Sequence, residues 1–583
     1  MILQALTSYY ERMTQEQVPD LEPEGFKRVA IPFVIVLRKD GSLSGIDDTR
    51  TGEGRRTRAR TYIVPKIFEG SRTVNVKANL LWDKASYVFG LSQEGVDKRS
   101  GKKRDKFIKR LKDQKGKFLT TIFDYFPNQD ADDGVRAVVK FLKYHADSIQ
   151  DYKEWEEINS KYPNLAFRLE GEQTLICNRD PVKEAIANKN KTVTSEKGLC
   201  LVTGKIDNLT RLENPIKGLR GSGKGESHLV SFNDSAYWSY GKTYGANAPV
   251  SKYASSAYVT AINSMQREGS RQWLKVGDAT TVFWAEKKHD IENVLADIFG
   301  EPPKDNPEQD YKELIAMFRS PETGAKPELN PNTKFFVLGL SPNSARIAVR
   351  FWYAGSVREI AENLYQHFDD IEIVRPKNQP KHLSLFRLLV STALEKDAKK
   401  IQPNLAGDFM RAILVGTPYP DTLLSSAIRR IKAEREVTYP RVSLIKAVLV
   451  RKARYKKEKE EIDMSLDTSN TNTGYCLGRL FAVLEKVQEE VNPGINATIR
   501  DRFYGSASCT PVTVFPHLMK LKNHHIAKLE NKGRAVNLEK IIGEIVDDIK
   551  DFPGHLSLDD QGRFAVGYYH QRQDFFKKKV ATE

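Results

Sequence analysis

Apolar positions recur along the chain with two different periods. Ile2, Leu3, Leu6, Tyr9, Tyr10 and Met13 are spaced for one face of a helix, so the chain is expected to begin with an amphipathic helix. Residues 29–37 (VAIPFVIVL) are an apolar run that reads as a buried strand closed by a Lys39-Asp40-Gly41 turn, with a further strand at 61–65. Over 74–79, Val74, Val76 and Ala78 alternate with Asn75, Lys77 and Asn79. An extended backbone would put these three polar side chains on one face, and an ordinary strand edge has the same spacing. Helical spacing returns over 131–162, and a short strand and turn follow at 200–204. Further on, a helix is expected at 251–267, a strand at 282–285, a helix at 291–299 and a charged turn at 304–312. Paired strands are expected at 335–340 and 345–353, with Arg346 and Arg350 alternating with Ile347, Val349 and Phe351.

From about His382 strand signals thin out and helical periods dominate, at 383–396, 405–415, 420–435 and 443–459. A charged junction at 456–461 (KKEKEE) precedes helices at 473–491, 493–507, 512–529, 538–552 and 560–577. The pattern therefore predicts an α+β N-terminal region with mixed sheets over 1–380, a helical connector over 381–463 and an all-α helical bundle over 464–583. A chain of 583 residues exceeds what one core supports, in keeping with that division.

Charge changes the picture from fold to partner. The chain holds 92 Lys and Arg against 76 Asp and Glu, a formal net charge of +16 that folding alone does not call for. Nucleic acid is the leading partner, ahead of an anionic membrane, and no apolar run approaches the length of a membrane span. The positive charge is clustered. Residues 49–60 (TRTGEGRRTRAR) place five arginines and one acid around two glycines, and residues 97–117 hold eleven basic and three acidic residues and read as a short helix with a thin apolar stripe of Phe107, Ile108 and Leu111. Crowded arginines repel one another unless an anion is near. A third stretch, 221–251, sets Phe232, Tyr237, Trp238, Tyr240 and Tyr244 among glycines, lysines and asparagines, a composition suited to an ordered loop braced by its rings.

Reaction chemistry finds little to stand on. Residues 218–224 match G-x-x-x-x-G-K, but Gly225 stands where a nucleotide site needs Ser or Thr, and neither the preceding strand nor the following helix is expected. His289-Asp290 falls at a helix start, where Asp290 reads as an N-cap. His524 and His525 are adjacent and diverge on a helix, while His555 and His570 read as core histidines. The four cysteines form no C-x-x-C pair and suit a reducing compartment, and the N-terminus lacks a signal-peptide pattern, so a cytoplasmic protein is expected. Neither a catalytic group nor a metal or cofactor is expected. The alternative from another class is a stand-alone nucleic-acid enzyme, a nuclease or an atypical NTPase.

Six blocks in order carry a resemblance. They are the MILQAL start with Tyr9-Tyr10, LLWDKASYVFG (80–90), CLVTGK (200–205), SFNDSAYWSYG…NAPVS (231–251), LGLSPNSARIAVRFW (338–352) and HLSLDDQGRFAVGYYHQRQ (555–573). Together they resemble, nearly end to end, the large subunit of the type I-C CRISPR Cascade, an RNA-guided surveillance complex; Lys84 in the second block is a minor departure. The resemblance implies a non-catalytic subunit that reads the protospacer-adjacent motif on duplex DNA and helps unwind the target. It further implies that the subunit stabilises the displaced strand and recruits a helicase-nuclease. Implied partners are double-stranded target DNA, the displaced single strand, CRISPR RNA through the complex, and the backbone, guide-end-binding and small helical subunits. It also implies that 464–583 is translated separately from Met464. Motif or base reading is expected first of Asn75, Lys77 and Asn79, then of Lys224, Asn233 and Asn247. Phosphate contact is expected of Arg50, Arg55, Arg56, Arg58 and Arg60, and of Lys102, Lys103, Arg104 and Lys106.

Overall fold

Pro32 divides what the apolar pattern presents as one strand. It has no N–H to give a ladder, and its carbonyl instead accepts the Thr49 N–H at 2.9 Å. The residues on either side go to different sheets: Phe26–Ala30 pairs antiparallel with Thr61–Pro65, while Phe33–Leu37 lies inside a four-stranded sheet. That sheet runs in the order Leu43–Asp48, Phe33–Leu37, Asn164–Leu169, Trp82–Lys84, with the central pair parallel and the outer pairs antiparallel. This is a computed structural model, and it describes all residues except 20, 53–56, 69–71, 73–74, 193–196, 220–226, 301–329, 344–345, 460–461 and 577–583. The expected charged turn at 304–312 falls outside the described residues.

The chain packs as two compact units. One comprises Leu3–Asn214 and Val230–Ala261; the other comprises Pro215–Leu229 and the chain from Ile262 onward. In the first, the core gathers Phe33–Leu37 with Leu80, Trp82, Val88, Phe118, Ile122, Phe141 and Phe167. The expected helix over 131–162 is broken into Asp133–Lys140, a π turn at Phe141–His145, a 3-10 segment at Ala146–Asp151 and a short helix at Trp155–Lys161. Ser148 donates its hydroxyl to the His145 carbonyl at 2.7 Å, a local bond that competes with the helical one.

In the second unit, Trp273–Val276, Ala279–Ala285, Lys334–Asn343 and Arg346–Ser356 form an antiparallel meander, with a bulge between Gly339 and Leu340. The last strand passes into the helix Val357–Ile371 through a capping box made by Ser356 and Glu359. From Leu385–Ser391 to Leu558–Asp574 every regular element among the described residues is helical, and one apolar core runs from the meander (Phe283, Phe335, Val337) through to Tyr569. The α+β region followed by an all-helical part is the fold class that periodicity predicts. Boundaries move where caps decide them. Thr498 and Asp501 close a capping box that starts a helix at Ile499 rather than 493, and Asn531 caps one that begins at Lys532 rather than 538. No helix among the described residues is long and apolar enough to cross a membrane.

Candidate nucleic-acid interface

The helix expected to be short over 97–117 is instead 25 residues long, Gly101–Tyr125, because Phe118 and Ile122 prolong its buried stripe. Its first turn holds no acid. Lysines there oppose the positive end of the helix dipole, so the sequence places cations where the backbone disfavours them. Lys102, Lys103, Arg104, Lys106, Lys109 and Lys112 are exposed and enter no ion pair among the described residues; farther along, Lys117 lies 3.9 Å from Asp124. Such a row, with only Asp105 and Asp113 among it, is a positive surface held apart from compensating charge.

A cation–aromatic cluster gathers Phe68, Arg72, Lys77 and Trp82 beside Lys27 of the Phe26–Ala30 strand. Lys27 lies over Trp82 at 4.9 Å, and Lys27, Arg72 and Lys77 all lie within about 6 Å of the Phe68 ring. Arg72 also covers Tyr87 at 4.5 Å and pairs with Asp83 at 2.7 Å. Burial raises the pKa of the Asp83 carboxyl, which Arg72 and the N–H groups of Asn79 and Lys84 oppose. Arg110, from the cationic helix, donates to the Arg72 carbonyl at 2.7 Å and so ties the two features together.

The expected polar face of 74–79 does not form. Residues 76–79 are irregular rather than extended; Asn75 is exposed, Lys77 half-buried and Asn79 fully buried. Both ends of the Asn79 side-chain amide lack a hydrogen-bond partner, which costs about 1–3 kcal/mol for each buried group so left. The Asn79 backbone N–H is held by the buried Asp83 carboxylate at 2.8 Å.

The arginine hairpin divides as well. Arg50–Thr51 pairs with Arg58–Ala59, and Arg58 and Arg60 reach the surface, Arg60 over the Tyr62 ring at 5.2 Å. Arg50 is otherwise engaged: it binds Asp48 at 2.6 Å and Glu157 at 2.8 Å and covers Phe33 at 4.6 Å, so its charge is met within the fold. Arg55 and Arg56 lie outside the described residues, as does Lys224. In the second unit Arg350 is likewise paired, with Asp278 at 2.5 Å.

The aromatic loop at 231–251 is ordered around Asn247. Its amide oxygen accepts the Ser239 N–H at 3.0 Å, and its amide nitrogen donates to the carbonyls of Lys242 and Tyr244 at 3.1 and 3.0 Å. A side chain so used braces a loop and has little left for a base edge. Asn233 is exposed. Trp238 donates to the Phe232 carbonyl at 3.0 Å and packs on Tyr244, which Arg211 covers at 4.0 Å. The blocks CLVTGK and NAPVS, far apart in sequence, meet here: Leu201 N–H bonds to Pro249, and the Cys200 thiol accepts the Ser251 N–H at 3.2 Å. Burial raises the Cys200 pKa, and the hydrogen bonds from Thr203 and Ser251 outweigh it, bringing the thiol down to about 7. Sequence reasoning missed what this loop displays at its tip, Tyr240, because only the backbone path shows that ring to be outside.

Among the described residues no three His, Cys, Asp or Glu side chains gather to hold a metal ion. His289 is buried, burial lowers its pKa, and its Nδ1 accepts the Ile291 N–H at 3.2 Å. Asp290 occupies the N-cap position, yet its carboxylate makes no capping bond, so the histidine ring does that work instead. His570 is a core histidine, 2.9 Å from the Tyr475 hydroxyl, whereas His555 is exposed rather than buried.

These features define a large basic α+β protein of two compact units, the first carrying a helix with a row of exposed cations that enter no ion pair among the described residues, beside a cation–aromatic cluster. Residues 6–576 match the family model described as CRISPR-associated protein (Cas_Csd1), and the chain belongs to that family. No curated protein matches the sequence.

Proposed function

We propose that this chain is the non-catalytic large subunit of a type I-C Cascade. On this reading it recognises the protospacer-adjacent motif on duplex DNA, helps open the target, stabilises the displaced strand and recruits the helicase-nuclease. It does so in the cytoplasm, beside the backbone, guide-end-binding and small helical subunits and the CRISPR RNA they hold. The observation that carries the reading is the row of exposed cations on Gly101–Tyr125, unpaired among the described residues and set where the helix dipole disfavours them, an arrangement suited to a phosphate backbone. Phosphate contact falls to Lys102, Lys103, Arg104 and Lys106, with Arg58 and Arg60 alongside. Motif reading falls to Asn75 and Lys77, the surface members of their segment, and to Asn233.

The two roles separate by experiment. Asn75→Ala is expected to weaken binding about 5- to 150-fold on duplexes bearing the correct flanking motif, the loss of one good base contact, and to leave other duplexes unchanged. Replacing Lys102, Lys103, Arg104 and Lys106 together by Gln is expected to weaken every duplex alike. Gel shifts on matched duplexes decide; equal losses on all DNA for both variants would sink the division of roles.

The N-terminal region at 1–380, the connector at 381–463 and the bundle at 464–583 are the working domains of this proposal, with 464–583 also made separately from Met464. In the full chain that segment shares its core with the preceding helices. Tyr569 donates to the Val374 carbonyl at 2.9 Å, and Lys452 pairs with Asp559 at 2.9 Å. A separate copy would therefore expose an apolar face that needs another cover. Met464→Leu is expected to leave the full chain folded and to remove a short co-purifying band; persistence of that band on a denaturing gel contradicts internal translation.

A further inference from the structure

The tip of the aromatic loop holds a side chain in an unfavourable place. Tyr240 is 97% exposed, the most exposed large aromatic among the described residues, and its φ is 52°. The left-handed region costs a non-glycine residue roughly 1–2 kcal/mol, and an exposed ring returns nothing to the fold. The conformation is nevertheless over-determined. The Lys242 N–H bonds to the Ser239 carbonyl at 3.0 Å, closing the turn that contains Tyr240. Asn247 clamps the same turn from both ends, through Ser239 N–H and the Lys242 carbonyl. Strain that the surroundings enforce around a side chain with no packing role points to a use for that side chain.

We propose that Tyr240 is a stacking seat for an unpaired nucleobase of single-stranded nucleic acid, with Lys242 placed for the adjoining phosphate. The proposal rests on the nucleic-acid-binding reading above and names a site within it. The surroundings favour a base over a protein surface. Ser239, Gly241 and Lys242 next to the ring are exposed, and the other aromatic of the tip, Tyr237, is 43% exposed. A protein hot spot needs a surrounding rim that excludes water, which this tip lacks. A base needs one flat face and a nearby cation, which it has. Gly241, without a side chain, leaves the backbone beside the ring open to a strand lying across it. The same chemistry serves DNA and RNA, so both are used as probes.

The test uses the full chain with single-stranded oligonucleotides, DNA and RNA of one sequence, carrying 2-aminopurine, and a fully paired duplex as reference. Wild-type protein is expected to quench the 2-aminopurine fluorescence. Tyr240→Ala should lose the quench and bind single strands about tenfold more weakly, within the range for one base–aromatic stack, with duplex binding unchanged. Tyr240→Phe should retain both. Tyr240→Gly supplies the fold control: it relieves the positive φ, so it should melt at or above the wild-type temperature while losing the quench. The strand that binds more tightly and is quenched identifies the source of the base. Unchanged quenching and affinity in Tyr240→Ala would overturn the stacking seat. Wild-type protein that binds neither duplex nor single strand would instead overturn the broader reading.

Discussion

Asp370→Ala is expected to destabilise the second unit by about 3–5 kcal/mol, because it strands a buried arginine. Asp370 lies in the last turn of the helix Val357–Ile371 with only 1% of its surface exposed, and Arg451, on the helix Tyr439–Lys456, is 2% exposed. The pair meets at 2.9 Å, and Arg454 reaches the other carboxylate oxygen at 2.7 Å. Arg451 also donates to the Ala412 carbonyl at 3.1 Å, drawing in the helix Pro403–Val415, and lies over Tyr419 at 4.2 Å. Tyr419 in turn meets His367 at 2.7 Å, a histidine whose pKa burial and Arg451 hold well below its ordinary value. Removing the carboxylate leaves a charge that water cannot reach. Asp370→Asn, which keeps the shape and an acceptor, should lose less. Denaturant unfolding followed by amide exchange on these helices reads the effect, and a transition matching wild type for Asp370→Ala would contradict the network.

The second large effect is steric. Thr473–Val491 and Leu558–Asp574 approach so closely that a Cβ on Gly478 would lie 2.1 Å from the Phe564 carbonyl oxygen, and one on Gly567 would lie 2.2 Å from that of Tyr475. Backbone cannot yield as a side chain can, so the helices must part. Gly478→Ala therefore sets an overpacking cost of about 1–3 kcal/mol or more against a helix-propensity gain of at most about 1 kcal/mol, and a net loss is expected. Gly543→Ala is the matching control: nothing lies within 4 Å of its added Cβ, so propensity alone acts and the variant should gain slightly. Thermal melts of the two variants moving in the same direction would contradict the close approach.

How far the sequence reaches depends on the range of the force that decides each feature. Ile291–Phe299 and Thr473–Val491 fall where periodicity puts them, because a continuous apolar face is a local signal. The split at Pro32 was also local and is a matter of weighing proline's missing donor above the apolar run. The cationic helix was legible because its charge imbalance lies within one segment. Arg50 was not, since Glu157, which helps to neutralise it, lies 107 residues away. Asn79 is buried with its N–H on Asp83, where alternation alone would set it beside Asn75 and Lys77 on one face. Asn247 reads as a base contact by residue type and acts as a brace by position. Tyr240 is the converse: among five aromatics of one loop, composition does not say which ring stays outside.

On the proposed function, Lys102, Lys103, Arg104 and Lys106 of Gly101–Tyr125 meet a phosphate backbone. The measurement is the slope of log binding constant against log salt concentration for the full chain on duplex DNA, with wild type beside the variant that replaces Lys102, Lys103, Arg104 and Lys106 by Gln. Each phosphate neutralised contributes about 0.9 to that slope, so the variant is expected to bind with a slope shallower by about three to four. Parallel slopes for the two proteins would contradict phosphate contact by these four side chains.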